Sequence, residues 1–226
     1  MKRYRVLAAD PSWPFDDRLT MSETKRGAES NYAVLTIAEI AALRVERLME
    51  KDAVLVLWRP SSLAEEGARV SRAWGFRPVG EWVWSKRPAP PTEAEVLAIL
   101  QREMEKRGRL EDAAKAVAAR IGKLHFGMGR VTRAAKEVAT IAVRGSMSKH
   151  LVDRAVRDVV EAPALRHSVK TELVQDALER MYPEGNRLEL FARRKREGWT
   201  CVGNQVPGME GRDIRAVLAE LATIPA

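Results

Sequence analysis

With 226 residues, 46% of them hydrophobic and 31% charged, the chain can bury one sizeable core and has the make-up of an ordinary water-soluble globular protein. No apolar run reaches bilayer length, Met1-Lys2-Arg3-Tyr4-Arg5 leads straight into an apolar stretch, and Cys201 is the sole cysteine. These features argue against a signal peptide, a membrane anchor, intrachain disulfides and a cysteine-rich zinc site, and they point to a reducing, cytoplasmic setting. The net charge of +8 is uneven: Lys123 to Lys170 holds ten Lys/Arg against four Asp/Glu, and Arg193-Arg194-Lys195-Arg196 follows. Either a polyanionic partner or a solvated basic surface accounts for it.

In chain order, Tyr4 to Ala9 is a short apolar run that predicts a buried strand, broken by Asp10-Pro11-Ser12-Trp13-Pro14. In open α/β sheets ligands sit outside the carboxyl ends of strands, where Asp10 and Trp13 would project; otherwise the stretch is a plain surface turn. Residues 16–30 are polar and without periodicity, long enough for a mobile flap ending at Asn31-Tyr32. Thr36-Ile37-Ala38-Glu39 is a capping box opening a helix with Ile37, Ile40, Leu43 and Leu48 inward. Ala53 to Trp58 predicts a strand buried on both faces, and Ser62-Leu63-Ala64-Glu65 a second capping box with a helix running to Trp74 and Gly75. Phe76 to Trp84 predicts another strand.

The alternation breaks at Pro88-Ala89-Pro90-Pro91, where Thr92-Glu93-Ala94-Glu95 opens a helical hairpin turning at Lys106 to Arg109 and stopping at Gly122. This stretch, 89–123, predicts an insert within a single domain spanning 1–226. It would brace the fold, read DNA or serve docking and homodimerisation. Strands at Val138–Val143, Leu188–Ala192 and Trp199–Val202, helices at 170–182 and in the tail from Gly211, complete a doubly wound α/β pattern. Three histidines, His125, His150 and His167, form no cluster with acids, which argues against a metal.

The motifs in order are Asp10-Pro11-Ser12-Trp13, Asn31-Tyr32, Leu57-Trp58, Trp84-Ser85-Lys86, Gly127-Met128-Gly129, Arg144-Gly145, His167-Ser168-Val169-Lys170, Glu189-Leu190-Phe191-Ala192-Arg193, Gly198-Trp199 and Gly203-Asn204-Gln205. Together they resemble the MTA-seventy family of adenine methyltransferases, relatives of the catalytic subunit of the eukaryotic messenger-RNA enzyme. The compact bacterial and phage branch, which acts mainly on DNA, is the closer match. The resemblance runs over roughly residues 4 to 206 outside the insert.

It implies a Rossmann-like methyltransferase fold with a mixed, mainly parallel sheet, S-adenosylmethionine as donor, and the exocyclic amine of adenine in DNA or RNA as acceptor. By that likeness Asp10, Pro11, Ser12 and Trp13 are catalytic. Asp10 and the Pro11 carbonyl would each accept an N–H of the amine, and Trp13 would pack against the base. Fixed acceptors also stabilise the positive charge that grows on the nitrogen, and positioning carries much of the rate. A paired adenine must be flipped out of the stack to arrive there. Tyr32 covers the base or packs in the core; Trp84 and Lys86, with Trp58, line the substrate pocket or the core. Asp10, Lys170, Glu189, Arg193, Asn204 and Gln205 would hold the cofactor, with Lys170 opening a helix that faces the methionine carboxylate and Glu189 on the ribose. Glu137 would back Lys170 or Lys86.

Two positions depart from the family pattern: Ser12 and Thr171 stand where prolines are usual. The first loosens the catalytic turn, which leaves room for a methyltransferase-fold subunit that binds nucleic acid without catalysing. A nicotinamide dehydrogenase fits less well, because no Gly-x-Gly-x-x-Gly follows the first strand.

Overall fold

The computed structural model describes residues 2–14, 35–127, 131–164 and 170–224. Tyr32, the 16–30 stretch, Met128-Gly129 and His167-Ser168-Val169 lie outside them. The chain divides into two compact units, the first Met1–Val83, Glu137–Asp158 and Glu172–Ala226, the second Trp84–Lys136 and Val159–Thr171.

The elements are β1 (Tyr4–Ala9), α1 (Ile37–Ala41), β2 (Met49–Arg59), α2 (Ala64–Ala73), β3 (Arg77–Arg87), α3 (Glu93–Arg107), α4 (Leu110–Ile121), β4 (Lys136–Arg144), β5 (Val159–Pro163), α5 (Leu173–Met181), β6 (Arg187–Leu190), β7 (Trp199–Val202) and α6 (Ile214–Leu221). The strands form one mixed sheet in the order β5-β3-β4-β2-β1-β6-β7. Strand β1 is parallel to both β2 and β6, β6 is parallel to β7, and β4 runs antiparallel to β2. This is a Rossmann-like α/β fold with a mixed, mainly parallel sheet.

In the first unit, strand alternation sorts side chains into two layers. Leu7, Ala9, Leu55, Leu57, Leu188 and Leu190 join Ile40 of α1, Val70 and Trp74 of α2, and Val217 and Leu218 of α6 in one buried cluster. Glu189 points the other way, toward Gln175 of α5, whose Val174, Ala177 and Leu178 are buried. Helices on both faces explain why β1 and β2 read as unbroken apolar runs.

Several elements differ from the sequence reading. The Thr36 capping box forms, but α1 stops at Ala41. Leu43, in the bend before a short 3₁₀ turn over Val45–Arg47, and Leu48, just after that turn, are still buried, so the inward spacing survives without a continuing helix. The Ser62 box does not form. After Pro60 the chain winds into a 3₁₀ turn over Ser61–Leu63, and α2 starts from Leu63 with no side-chain cap. Lys170 does not open α5: Glu172 is the N-cap, and Lys170 and Thr171 precede it. In the second unit the Thr92 capping box forms, Gly108 closes α3 in the left-handed conformation, and α3 packs on α4. Among the described residues no helix is long and apolar enough to cross a membrane.

Candidate active site

Strands β2, β1, β6 and β7 are parallel neighbours, so their carboxyl ends lie side by side in the first unit. The loops leaving β1, β6 and β7 meet there. Asp10 follows β1 directly and its N–H donates to the Leu190 carbonyl (3.3 Å), which ties the turn to the end of β6. Beyond β6 and β7 the backbones touch: the Ala192 N–H donates to Val202 O (3.0 Å), and a Cβ at Gly203 would sit 2.0 Å from Ala192 O. Only glycine permits that approach. Phe191 adopts φ 61°, a left-handed conformation rare for a bulky residue and of the kind that gathers at functional sites.

These loops enclose a cavity of about 440 Å³ lined by Asp10, Ser12, Leu35, Phe191, Ala192, Arg193, Val202, Gly203, Asn204 and Gln205. The far wall is Met209, Gly211, Arg212, Asp213, Ile214, Arg215 and Val217, from the approach to α6 and its first turn. Leu35, Phe191, Met209, Ile214 and Val217 supply apolar walls; Asp10, Arg193, Asn204, Gln205 and Asp213 supply polar groups. A flat heteroaromatic ring carrying a polar substituent suits such a lining. The Asn204 side chain is oriented: its Oδ1 accepts from the Gly211 N–H (2.6 Å), which leaves its amide donors for another partner. Around the rim Asp213 caps α6 through the Arg215 N–H (2.7 Å), and Arg215 also pairs with Glu39 (2.9 Å).

The cavity thus brings together Asp10, Ser12, Arg193, Asn204 and Gln205 of the residues anticipated from sequence. Pro11, Trp13, Trp84, Lys86, Lys170 and Glu189 are not among its lining residues, and Trp84, Lys86 and Lys170 belong to the second unit. Trp13 does not project. It is 5% exposed, and its indole N–H donates to the Trp58 carbonyl at 2.7 Å, so hydrogen bonding and burial draw it into the core. The Trp13 backbone N–H donates to Pro11 O (2.9 Å), so that carbonyl already holds one bond. Glu189 is not among the lining residues. Alternation along β6 turns it to the α5 face, where it accepts from Gln175 Nε2 (3.1 Å) with Arg194 Nη1 at 3.9 Å. Burial, more than these partners offset, pushes its carboxyl above the usual range. In the second unit, Trp84 is fully buried, donates to Ala162 O (3.2 Å) and has the Lys86 ammonium over its ring at 4.9 Å, which makes it a core residue and not a pocket wall. The Met209–Val217 wall was not anticipated; the amphipathic tail is visible in the sequence, but not what its first turn covers.

Asp10-Pro11-Ser12-Trp13 ahead of a cavity closed by Gly203-Asn204-Gln205 places the chain among known proteins. The MT-A70 family model matches residues 4–106 and 115–205. The chain belongs to the MT-A70 family. That match runs through most of the 89–123 stretch and omits only 107–114, around the turn between α3 and α4, so the likeness is wider than the motifs alone suggest. Among the relatives is the type II methyltransferase M.MunI of Mycoplasma sp., 23% identical over 221 residues, covering 91% of this chain and 79% of that protein. A rice protein named probable N(6)-adenosine-methyltransferase MT-A70-like is 26% identical over 210 residues, 92% of this chain and 24% of its own length. Human METTL4, named an N(6)-adenine-specific methyltransferase, is 26% identical over 211 residues, 91% of this chain and 38% of its own. The chain therefore spans most of the mycoplasmal relative but well under half of these two eukaryotic ones. The MT-A70 match ends at Gln205, so Met209 to Val217, the outer wall of the cavity, comes from beyond it.

Proposed function

We propose that this protein transfers a methyl group from S-adenosylmethionine to the exocyclic amine of adenine in nucleic acid, DNA in preference to RNA. One observation carries the reading: Asp10, at the end of β1, lines the same cavity as Arg193, Asn204 and Gln205. The residues present fit the cofactor. Leu35, Phe191, Met209, Ile214 and Val217 would take its purine, and Asn204, Gln205 and Asp213 its ribose hydroxyls. When bound, the cofactor supplies an electrophilic methyl group. Asp10 does what a fixed carboxylate can do: it accepts an N–H of the amine, orients it, and stabilises the positive charge that grows on it. The second lone pair of the Pro11 carbonyl would take the other N–H. DNA is favoured by the resemblance of the motifs to the compact bacterial and phage branch of the family, and the net charge of +8 suits a polyanion. The α3–α4 hairpin, which exposes Leu97, Met104, Leu110 and Ile121, is the segment we assign to homodimerisation.

The test compares the wild type with Asp10→Ala by calorimetry with S-adenosylmethionine and by transfer of labelled methyl groups to adenine-containing DNA. The variant is expected to keep cofactor binding and to lose transfer by about 100-fold or more. Undiminished transfer would falsify the assignment. A second reading, a non-catalytic nucleic-acid-binding subunit, is motivated by Ser12; no cofactor binding by the wild type, with or without DNA, would favour it.

A further inference from the structure

The Arg144-Gly145 motif lies far from Asp10. Along β2, Ala53 pairs with Arg144 and Leu57 with Ala9, so the two motifs stand at opposite ends of the sheet, about 13 Å apart along the strand. At the Arg144 end is a second cavity of about 470 Å³, lined by Arg72, Gly75, Phe76, Arg77, Val143, Arg144 and Gly145. Three arginines line it, and no aspartate or glutamate does.

The acids nearby are already engaged. The Asp52 carboxylate accepts from the Ser146 N–H (2.7 Å) and pairs with Lys149 (2.6 Å), with His150 at 3.6 Å. The Glu46 carboxylate faces Arg44 (3.7 Å) and Arg47 (4.0 Å), while only its backbone carbonyl meets Arg144, at 3.2 Å. Arg72 and Arg77 are exposed and have no ion-pair partner among the described residues. The end of α2 accounts for part of this charge, since a cation suits a helix C-terminus. It does not require three, because the Gly75 and Phe76 N–H groups already satisfy the carbonyls of Arg72 and Ser71. Gly75 and Gly145, at φ 82° and 62°, bring bare backbone to the lining.

We infer that this cleft binds phosphodiester groups of the nucleic acid, as a second anchor remote from the methyl-transfer cavity. Guanidinium forks match phosphate oxygens, and charge left uncompensated in a cleft attracts a polyanion more strongly than the same charge scattered. The inference rests on the nucleic-acid substrate proposed above and adds where the backbone is held. Contacts of this kind position the protein without reading sequence.

The experiment measures binding of a 30-base-pair duplex by fluorescence anisotropy across a salt series, for the wild type, Arg72→Ala/Arg77→Ala and Arg72→Lys/Arg77→Lys. Both arginines are exposed, so the variants are expected to keep the wild-type melting temperature. The alanine variant should bind about tenfold more weakly at low salt, with the slope of log Kd against log salt reduced by about two. The lysine variant should recover the slope. Unchanged affinity and slope in the alanine variant overturn the inference. So does tight binding of inorganic phosphate by the wild type with no effect of the variants on the duplex, which would make the cleft a small-anion site. Methyl transfer to a short single-stranded adenine oligonucleotide is expected to be the same in all three. If no form transfers methyl groups yet the alanine variant still loses duplex affinity, the reaction assignment fails and the cleft stands.

Discussion

Ser12 is the residue whose meaning changed most. Its sequence context suggests a catalytic turn loosened by the loss of a proline. In the structure the Trp13 N–H closes onto the Pro11 carbonyl across it, and Ser12 is not among the residues with positive φ. That is an inverse γ-turn, whose central φ of about −75° is close to the value proline imposes. The turn is further held by the indole bond from Trp13 to Trp58. Ser12→Pro is therefore expected to fit without strain and to raise stability by about 0.4–1 kcal/mol, a melting shift of about 1–4 °C. A lower melting temperature in calorimetric scans would show that the turn has another shape. Asp10 and Asn204 are legible from sequence because residue type and strand-end position suffice. Trp13 is not: an aromatic after a turn has the same composition whether it faces solvent or core. The choice depends on a carbonyl 45 residues away.

At the scale of elements, β1 and β7 match their sequence runs residue for residue, because a buried strand advertises its ends through the residues that bound it, Arg3 and Asp10 for β1, Gly198 and Gly203 for β7. Helix starts were less legible. Thr36 and Thr92 cap helices as their boxes predict, but Ser62 does not, since a 3₁₀ turn after Pro60 moved the cap to a residue with no side-chain oxygen. The largest omission was the segment before α6. Its contribution comes from a loop in which Gly211, at φ 72°, presents its N–H to Asn204. A side chain there strains the backbone by about 1–2 kcal/mol. Gly211→Ala is thus expected to weaken S-adenosylmethionine binding by about tenfold as the loop shifts and Asn204 loses its orientation. Calorimetry giving wild-type affinity would show that Asn204 is oriented by something else.

For the whole molecule, the sheet pairs strands from the start and the end of the chain, and the turn that follows β4 is clasped to β2 by Asp52. Hydrogen bonds from Lys149 and the Ser146 backbone hold its carboxyl well below the usual carboxylate range. A depressed folded-state pKa stabilises the protein above the unfolded value and loses that contribution as pH falls through the folded one. Asp52→Asn should therefore be less stable than the wild type by a constant margin above about pH 5, a margin that shrinks below about pH 4. Denaturation midpoints that keep the same gap down to pH 3 would contradict this. The order of the strands has a further consequence, in time. Strand β1 is made first, yet its neighbour β6 begins at Arg187 and the cavity wall at Met209. During synthesis the Asp10 loop waits through nearly the whole chain for the surfaces that complete its pocket. Long-range closures of this kind form late and slowly. Ligand binding should then be the last property a refolding molecule recovers, and a nascent chain stalled before α6 should have a sheet without a pocket.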